Sequence, residues 1–345
     1  MVTLSRTEFH ADTLMMRSYA GECDLQAIAT FLNLCEAVDQ LGHYYSVSEL
    51  RRELSEPGFD PAQDVRMWID EAGQLIAYAQ MWIPRHSEQS VTADGFLWFR
   101  VHPTVRGWGI EPNILAWGEV RIGDVGRSRH LPARLRSSCR DSQGDRLLLL
   151  QNCGFVYERC FLRMERLLAE PIPMPQFPAG FTLSHSQGRQ DIEARLDLHN
   201  QAFSDHWSFY PATIEELMHE ETDENYRAEL ELLAIAPDGS YAAFCCCEID
   251  REDNAQRGCQ AGGIGSLGTR REFRRQGLGR AMLLAGLQKL RLEGMEVAKL
   301  GVDTENVNLA LGLYESVGFR RVFANLAYVK EVKVEAEISD RQPQL

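Results

Sequence analysis

The 345-residue sequence lacks several signatures that would direct its interpretation elsewhere. None of its nine cysteines is spaced Cys-x-x-Cys from another, and their number is odd. A disulfide framework and a zinc ribbon are therefore not expected; neither is any metal, and a reducing cytoplasm fits best. Aliphatic runs such as Leu147 to Leu150 fall far short of membrane length, and Met1 to Arg6 carry no apolar core of an export signal, so no membrane association is expected. Basic residues are in deficit, with 36 Lys and Arg against 50 Asp and Glu, a formal charge of −14. Such a surface repels phosphate backbones and excludes nucleic acid as a partner. Phosphate-binding lysine motifs are missing too, because no Gly-Lys-Ser/Thr follows the glycine-rich loop described below.

What remains is ordinary globular sequence, 44% hydrophobic and 25% charged, in a chain of a length that suits two domains. Four prolines at 171, 173, 175 and 178 stiffen one short segment, as an interdomain linker would. The flanking halves repeat weakly. Arg106-Gly107-Trp108-Gly109 answers Arg274-Arg275-Gln276-Gly277 at an offset of 168 (274 − 106), and Gly154-Phe155 answers Gly318-Phe319 at 164 (318 − 154). Matches in the same order at nearly constant spacing indicate duplication. The expected division is 1–169, a linker at 170–179, a second domain at 180–332 and a tail at 333–345.

In the second half, helical patterns over Ile192 to Phe203 and from Ile214 precede two strands, Leu230 to Ile235 and Tyr241 to Ile249, joined by a Pro237-Asp238-Gly239 turn. Gly262 to Thr269 reads as a glycine-rich strand, weak or closely approached by something. Leucines at 283, 284, 287 and 290 mark a helix stopped by Gly294; Val297 to Val302 and Arg320 to Val329 read as strands around a short helix at Leu309 to Ser316. The fold class is α/β. Cys245-Cys246-Cys247 lie on one of these strands, point alternately to opposite faces and read as small apolar packing.

Arg274-Arg275-Gln276-Gly277-Leu278-Gly279-Arg280 stands between a strand and the leucine-rich helix, so backbone N–H groups and a helix N-terminus converge there on an anion. Side chains at 277 and 279 would hold a pyrophosphate off the backbone. A dinucleotide fingerprint fails because its third glycine position is Met282.

The run Gly268 to Ala281, followed by Asp303-Thr304-Glu305-Asn306 and by Leu313-Tyr314-Glu315-Ser316-Val317-Gly318-Phe319, resembles the GNAT acetyltransferase superfamily over roughly residues 180 to 332. With the prolines, the duplication and Asp205-His206-Trp207, the chain resembles tandem bacterial members, a group that includes mycothiol synthase. The resemblance implies two tandem GNAT-like domains, each a mixed central sheet flanked by helices, with acetyl-CoA as cosubstrate. It also implies direct attack of an amine on the thioester. Leu267, Thr269, Arg274, Arg275, Gln276, Gly277, Leu278, Gly279, Arg280 and Asn306 are then the acetyl-CoA contacts. A backbone N–H of Thr269 or Gly268 meets the oxyanion, and Tyr314 is the general acid.

The proton acceptor stays open. Tandem members often carry Glu on the strand before the loop, where this chain has Gly265. Glu248, Asp250 and His206 are the alternatives, with His206, Trp207 and Asp250 expected on the acceptor side. The N-terminal copy reads as degenerate: Glu111 stands where pyrophosphate would approach, and Leu150 stands where Tyr314 does. The expected function is N-acetylation of a small-molecule amine by the C-terminal domain, in a monomer or homodimer. A protein or peptide N-acetyltransferase and a non-catalytic acyl-CoA sensor are the alternatives.

Overall fold

The structure, a computed structural model, describes residues 13–86, 90–306 and 308–334. Met1 to Arg6 and all but the first residues of the expected tail lie outside the described residues. The first half runs β1 (Met15–Ser18), α1 (Glu22–Asp39), α2 (Val47–Leu54), α3 (Pro61–Asp64), β2 (Val65–Ile69), β3 (Leu75–Trp82), β4 (Ala93–Val101), α4 (Ile110–Arg129), β5 (Ala133–Arg140), α5 (Gly144–Asn152) and β6 (Val156–Leu167). The second runs β7 (Thr182–His185), α6 (Ile192–Phe203), α7 (Ile214–Glu220), β8 (Glu231–Ile235), β9 (Tyr241–Glu248), α8 (Arg251–Arg257), β10 (Ala261–Thr269), α9 (Leu278–Leu292), β11 (Val297–Asp303), α10 (Ala310–Ser316) and β12 (Arg320–Val332).

Among the described residues six strands fall in each half, and the duplication read from two motifs extends to whole elements. β3 and β9 are each eight residues long, and β4 and β10 each nine. All twelve strands join one sheet in the order β1-β2-β3-β4-β5-β12-β6-β11-β10-β9-β8-β7. The order is symmetric about its centre, and there the sixth strands cross over. β6 pairs antiparallel with β11, and β12 pairs antiparallel with β5. Each half thus completes the other's sheet, which joins the halves by backbone ladders as well as by side-chain packing.

Burial follows the periodicities. On α9 the side chains of Leu283, Leu284, Leu287 and Leu290 are buried against β9 and β10. Each such leucine contributes about 2 kcal/mol of apolar burial. The glycines of β10 mark close approaches: a Cβ on Gly268 would lie 2.3 Å from Phe244, and one on Gly262 would lie 2.6 Å from Leu290. Cys245 and Cys247 are buried against α9, where Cys245 Sγ would lie 2.6 Å from a Cβ on Gly286. Cys246 faces the opposite side, toward α6, in keeping with alternation along a strand. The proline segment has no regular structure, and Ile172 and Phe177 within it pack on the C-terminal core.

Side chains also bind the halves across the α-helical face of the sheet. The Tyr210 hydroxyl donates to Asp94 (2.7 Å), the His219 ring N–H to the Arg52 carbonyl (2.9 Å) and the Tyr44 backbone N–H to Asp253 (2.8 Å). Arg52 and Asp223 form an ion pair at 3.0 Å. These contacts set α2 and its preceding loop opposite the ends of α7 and β9. Among the described residues, no helix is long and apolar enough to cross a membrane.

Candidate active site

Two features shape the loop side of the candidate site. The parallel ladder between β10 and β11 pairs Ala261 to Ile264 with Val297 to Leu300 and stops there, although β10 runs on to Thr269. The strands part into a fork. Beyond Ile264 the fork side of β10 has no strand partner among the described residues, while the other edge pairs Ser266 to Thr269 with β9 and leaves Gly265 as a bulge between Ile264 and Ser266. Downstream, Gly277 is the N-cap of α9 at φ 90°, and no side chain caps the helix. The first N–H groups of α9 and its positive dipole end therefore point out of the loop. Gly279 has only ordinary contacts within the protein: a Cβ there would lie 3.7 Å from Thr269 and 3.8 Å from Leu313. Nothing in the contacts of the described residues demands glycine at 279, whereas a phosphate bound close to the backbone would.

Within this loop the arginines divide. Arg275 is exposed, at φ 62°, and has no ion pair among the described residues. The Arg280 guanidinium donates to the Ser316 hydroxyl at 2.6 Å, joining the start of α9 to α10. Arg274 turns inward: it donates to the Thr269 carbonyl (3.1 Å), the Ala202 carbonyl (2.9 Å) and Asp205 (2.6 Å). Its charge secures the loop to the end of α6. Gln276 is exposed and reaches back to the Glu272 carbonyl. Asn306 accepts from the Asn308 N–H at 2.8 Å, shaping the turn into α10.

Tyr314, on α10, is buried, and its ring meets Phe319 edge-on at 6.1 Å. Burial pushes its phenol up to about 12, so it keeps its proton through the neutral range. Its hydroxyl makes no hydrogen bond among the described residues.

On the opposite face of the fork, α6, α7, β8, β9 and β10 enclose a cavity of about 650 Å³. Glu248, the last residue of β9, lies on its floor across from Gly263. A Cβ built on Gly265 would fall 1.6 Å from Glu248 Oε1. The carboxylate therefore occupies the space that a side chain at 265 would take, at the first residue past the end of the β10–β11 ladder. It is open to water in the cavity but has protein on most other sides. That partial desolvation raises its proton affinity above the ordinary glutamate value, against the opposing pull of Arg163. Arg163 belongs to β6 and arrives only because β6 lies beside β11, with Arg163 in register with Gly301.

The cavity holds further groups that the sequence motifs do not mark. Glu220, at the end of α7, is pushed up to about 7 by burial and by neighbouring carboxylates, Glu231 and Glu248 among them. The capping box of Thr213 and Glu216 sets the start of α7, and with it the place of Glu220. His199 stacks on Phe244 at 5.8 Å, and burial lowers its proton affinity. Gly42, His43, Glu49 and Arg52 supply a wall from the N-terminal half. Of the acceptor-side residues expected from sequence, Asp250 lines the cavity while capping α8 through the Asp253 N–H (2.7 Å). His206 and Trp207 do not line it. His206 packs on Phe203, and Trp207 lies between Phe161, Arg136 and Arg159, where the halves meet.

The N-terminal half has the same frame with its openings filled. Glu111 accepts the Gly107 N–H at 2.8 Å and places its own carboxylate at the start of α4. The β4–β5 ladder stops at Leu97 and Ser137, and the Arg146 guanidinium fills the gap beyond it, donating to the Phe99 and Ser138 carbonyls (3.0 Å each). Leu150 is fully buried.

A strand fork, an uncapped glycine-rich helix start and a solvent-facing carboxylate across the fork thus come together in the C-terminal half. The model of the Acetyltransferase (GNAT) family matches residues 197–319. A mycothiol acetyltransferase of Thermobispora bispora is 31% identical over 228 residues, covering 66% of this chain and 73% of that protein. The chain belongs to the GNAT acetyltransferase family. Its fold is similar to that of an N-acetyltransferase of this family from Sphaerobacter thermophilus (TM-score 0.70, 26% identity, 93% of this chain and 96% of that one). A tandem GNAT protein of clavulanic acid biosynthesis shares the fold as well (TM-score 0.67, 14% identity, 93% and 99% covered). The chain is thus an acetyl-CoA-dependent acetyltransferase of tandem GNAT architecture.

Proposed function

We propose that the C-terminal half N-acetylates a small-molecule amine, with Glu248 as the proton acceptor and a single acetyl-CoA site per chain. The observation that carries this reading is the Glu248 carboxylate in the space beside Gly265, at the mouth of the fork. Acetyl-CoA supplies an activated acyl group and a thiolate leaving group. The chain's own residues do the rest. N–H groups of Leu278, Gly279 and Arg280, with exposed Arg275 and Gln276, receive the pyrophosphate. Backbone groups of Leu267, Gly268 and Thr269 line the fork, where an N–H meets the negative charge that develops on the carbonyl oxygen.

Glu248 takes the proton that an ammonium must lose before it attacks, a task suited to a carboxylate of raised pKa. Tyr314 keeps its phenolic proton for the departing sulfur. Asp250 and Glu220 add negative charge that favours a cationic acceptor.

A small acceptor is favoured over an extended peptide because Gly42, His43, Glu49 and Arg52 wall the cavity where a polypeptide would have to pass. The N-terminal half, closed by Glu111 and Arg146, is read as the scaffold that builds this wall. The test is free-thiol release across a panel of amines that includes a mycothiol-type acceptor, with wild type beside Glu248→Gln. Turnover of a small amine that falls about a hundredfold or more in the variant agrees with the assignment. Equal rates at every pH remove Glu248 from the mechanism.

A further inference from the structure

The duplication gives the N-terminal half its own version of the acceptor cavity, with different chemistry. α2, β3 and β4 stand there as α7, β9 and β10 stand in the C-terminal half, and they line a cavity of about 390 Å³. Glu53 lies seven residues past the N-cap Ser46, as Glu220 lies seven past the N-cap Thr213. Where β9 ends in Glu248, β3 ends in Trp82. Trp82 faces Phe96 across the β3–β4 ladder at a ring distance of 5.3 Å, and it is 40% exposed. Trp98 pairs with Gln80 in the same ladder, and Tyr45 lies 6.1 Å from the Trp98 ring. Four aromatic rings thus line one cavity with Glu53 and Glu49.

We infer that this cavity is a second ligand site, which binds a small organic cation of the alkylammonium or quaternary ammonium class. The charge of the lining supports it. Its charged side chains are Glu49, Glu53 and His43, and His43 is already held by Glu49 at 3.0 Å. Glu53 has no ion pair and no side-chain hydrogen bond among the described residues. Its carboxyl is pushed up to about 7 by burial and by Glu49, the state of a carboxylate that lacks a counter-ion. Arg100 over Trp98 at 4.4 Å and Arg136 over Phe96 at 5.3 Å already take up two of the rings, so Trp82 and Tyr45, which carry no cation among the described residues, are the rings left to a ligand. Ring faces joined to a partly desolvated carboxylate select cations over neutral molecules of the same size. Turnover is not expected here, because Glu111 occupies the helix start and Arg146 the fork. His43 and Glu49 line both cavities, so the two sites share a wall.

The full chain, without acetyl-CoA, is titrated calorimetrically with tetramethylammonium, which has no N–H to acetylate, and with tert-butanol as an uncharged counterpart of similar size. Tetramethylammonium is expected to bind about tenfold tighter or more than tert-butanol. Glu53→Gln and Trp82→Leu are each expected to weaken it by about tenfold, and Glu248→Gln to leave it unchanged. Thermal melting verifies that each variant is folded; if one is not, the other carries the test. Equal affinity for the two probes, affinity unmoved by the Glu53 and Trp82 changes, or a loss confined to Glu248→Gln overturns the site. The last outcome would place the cation in the acceptor cavity. Neither probe is an acetyl acceptor, so failure here leaves the acetyltransferase reading intact.

Discussion

Gly265 and Glu248 compete for one volume. With a Cβ on residue 265 only 1.6 Å from Glu248 Oε1, the glutamate keeps its place because residue 265 has no side chain. A carboxylate reaches the end of the β10–β11 ladder from the neighbouring strand rather than from β10 itself.

This pairing makes Gly265→Ala informative. The methyl group displaces the end of a flexible side chain and no backbone, so the melting temperature is expected to change little. The rate constant is expected to fall at least tenfold as the carboxylate swings away. In the wild type, activity should rise with pH through an apparent pKa above the ordinary glutamate range, because the acceptor of the proton must first be ionised. Steady-state kinetics across pH on both proteins provides the check; an unchanged rate in Gly265→Ala would contradict the placement.

Tyr314→Phe removes only a hydroxyl that has no hydrogen-bond partner among the described residues. Stability should be nearly unaffected, while kcat is expected to drop by roughly a hundredfold at constant KM for acetyl-CoA. Since burial holds the phenol near 12, its ionisation should contribute no fall in wild-type activity below about pH 10.

Gly279 and Arg274 lie five residues apart and should separate cleanly. Gly279→Leu puts a side chain into the space proposed for the pyrophosphate and is expected to raise KM for acetyl-CoA about tenfold with little change in melting. Arg274→Ala strips hydrogen bonds from the Ala202 and Thr269 carbonyls and leaves Asp205 with its ion pair to Arg271 alone. It is expected to cost about 1–3 kcal/mol of stability, read by chemical denaturation. A variant with normal stability and a raised KM would return Arg274 to the ligand.

Glu53 and Glu220 are both pushed up to about 7 in the folded chain, from 4.5. A carboxyl that binds its proton more tightly when folded favours the folded state at low pH. That advantage is lost as pH rises from about 4.5 through about 7. At pH 8 each ionised side chain costs on the order of 1 kcal/mol after screening by cavity water. Glu53→Gln and Glu220→Gln are therefore expected to raise the melting temperature at pH 8 and to leave it unchanged near pH 4. Identical shifts at both pH values would show that ionisation is not the cause.

Local chemistry is legible in the amino-acid sequence itself. Glycines at 277 and 279 before a leucine-rich helix, the Pro237-Asp238-Gly239 turn and the helix bearing Tyr314 all depend on residues close in sequence, where backbone preference and periodicity act directly. The offset near 168 likewise exposes the duplication, and Glu111 and Leu150 mark the altered copy.

Contacts between distant residues are decided by tertiary structure alone. No pattern along the chain shows that β6 and β12 cross over and carry Arg163 into the other half's cavity, because hydrogen-bonded strands have no signature of partner. Nor does sequence show Arg274 turned onto Asp205, or Arg146 lodged in the N-terminal fork. Gly265 illustrates the division: its lack of a side chain is plain in the sequence, but that Glu248 fills the gap is a matter of which strand lies beside it.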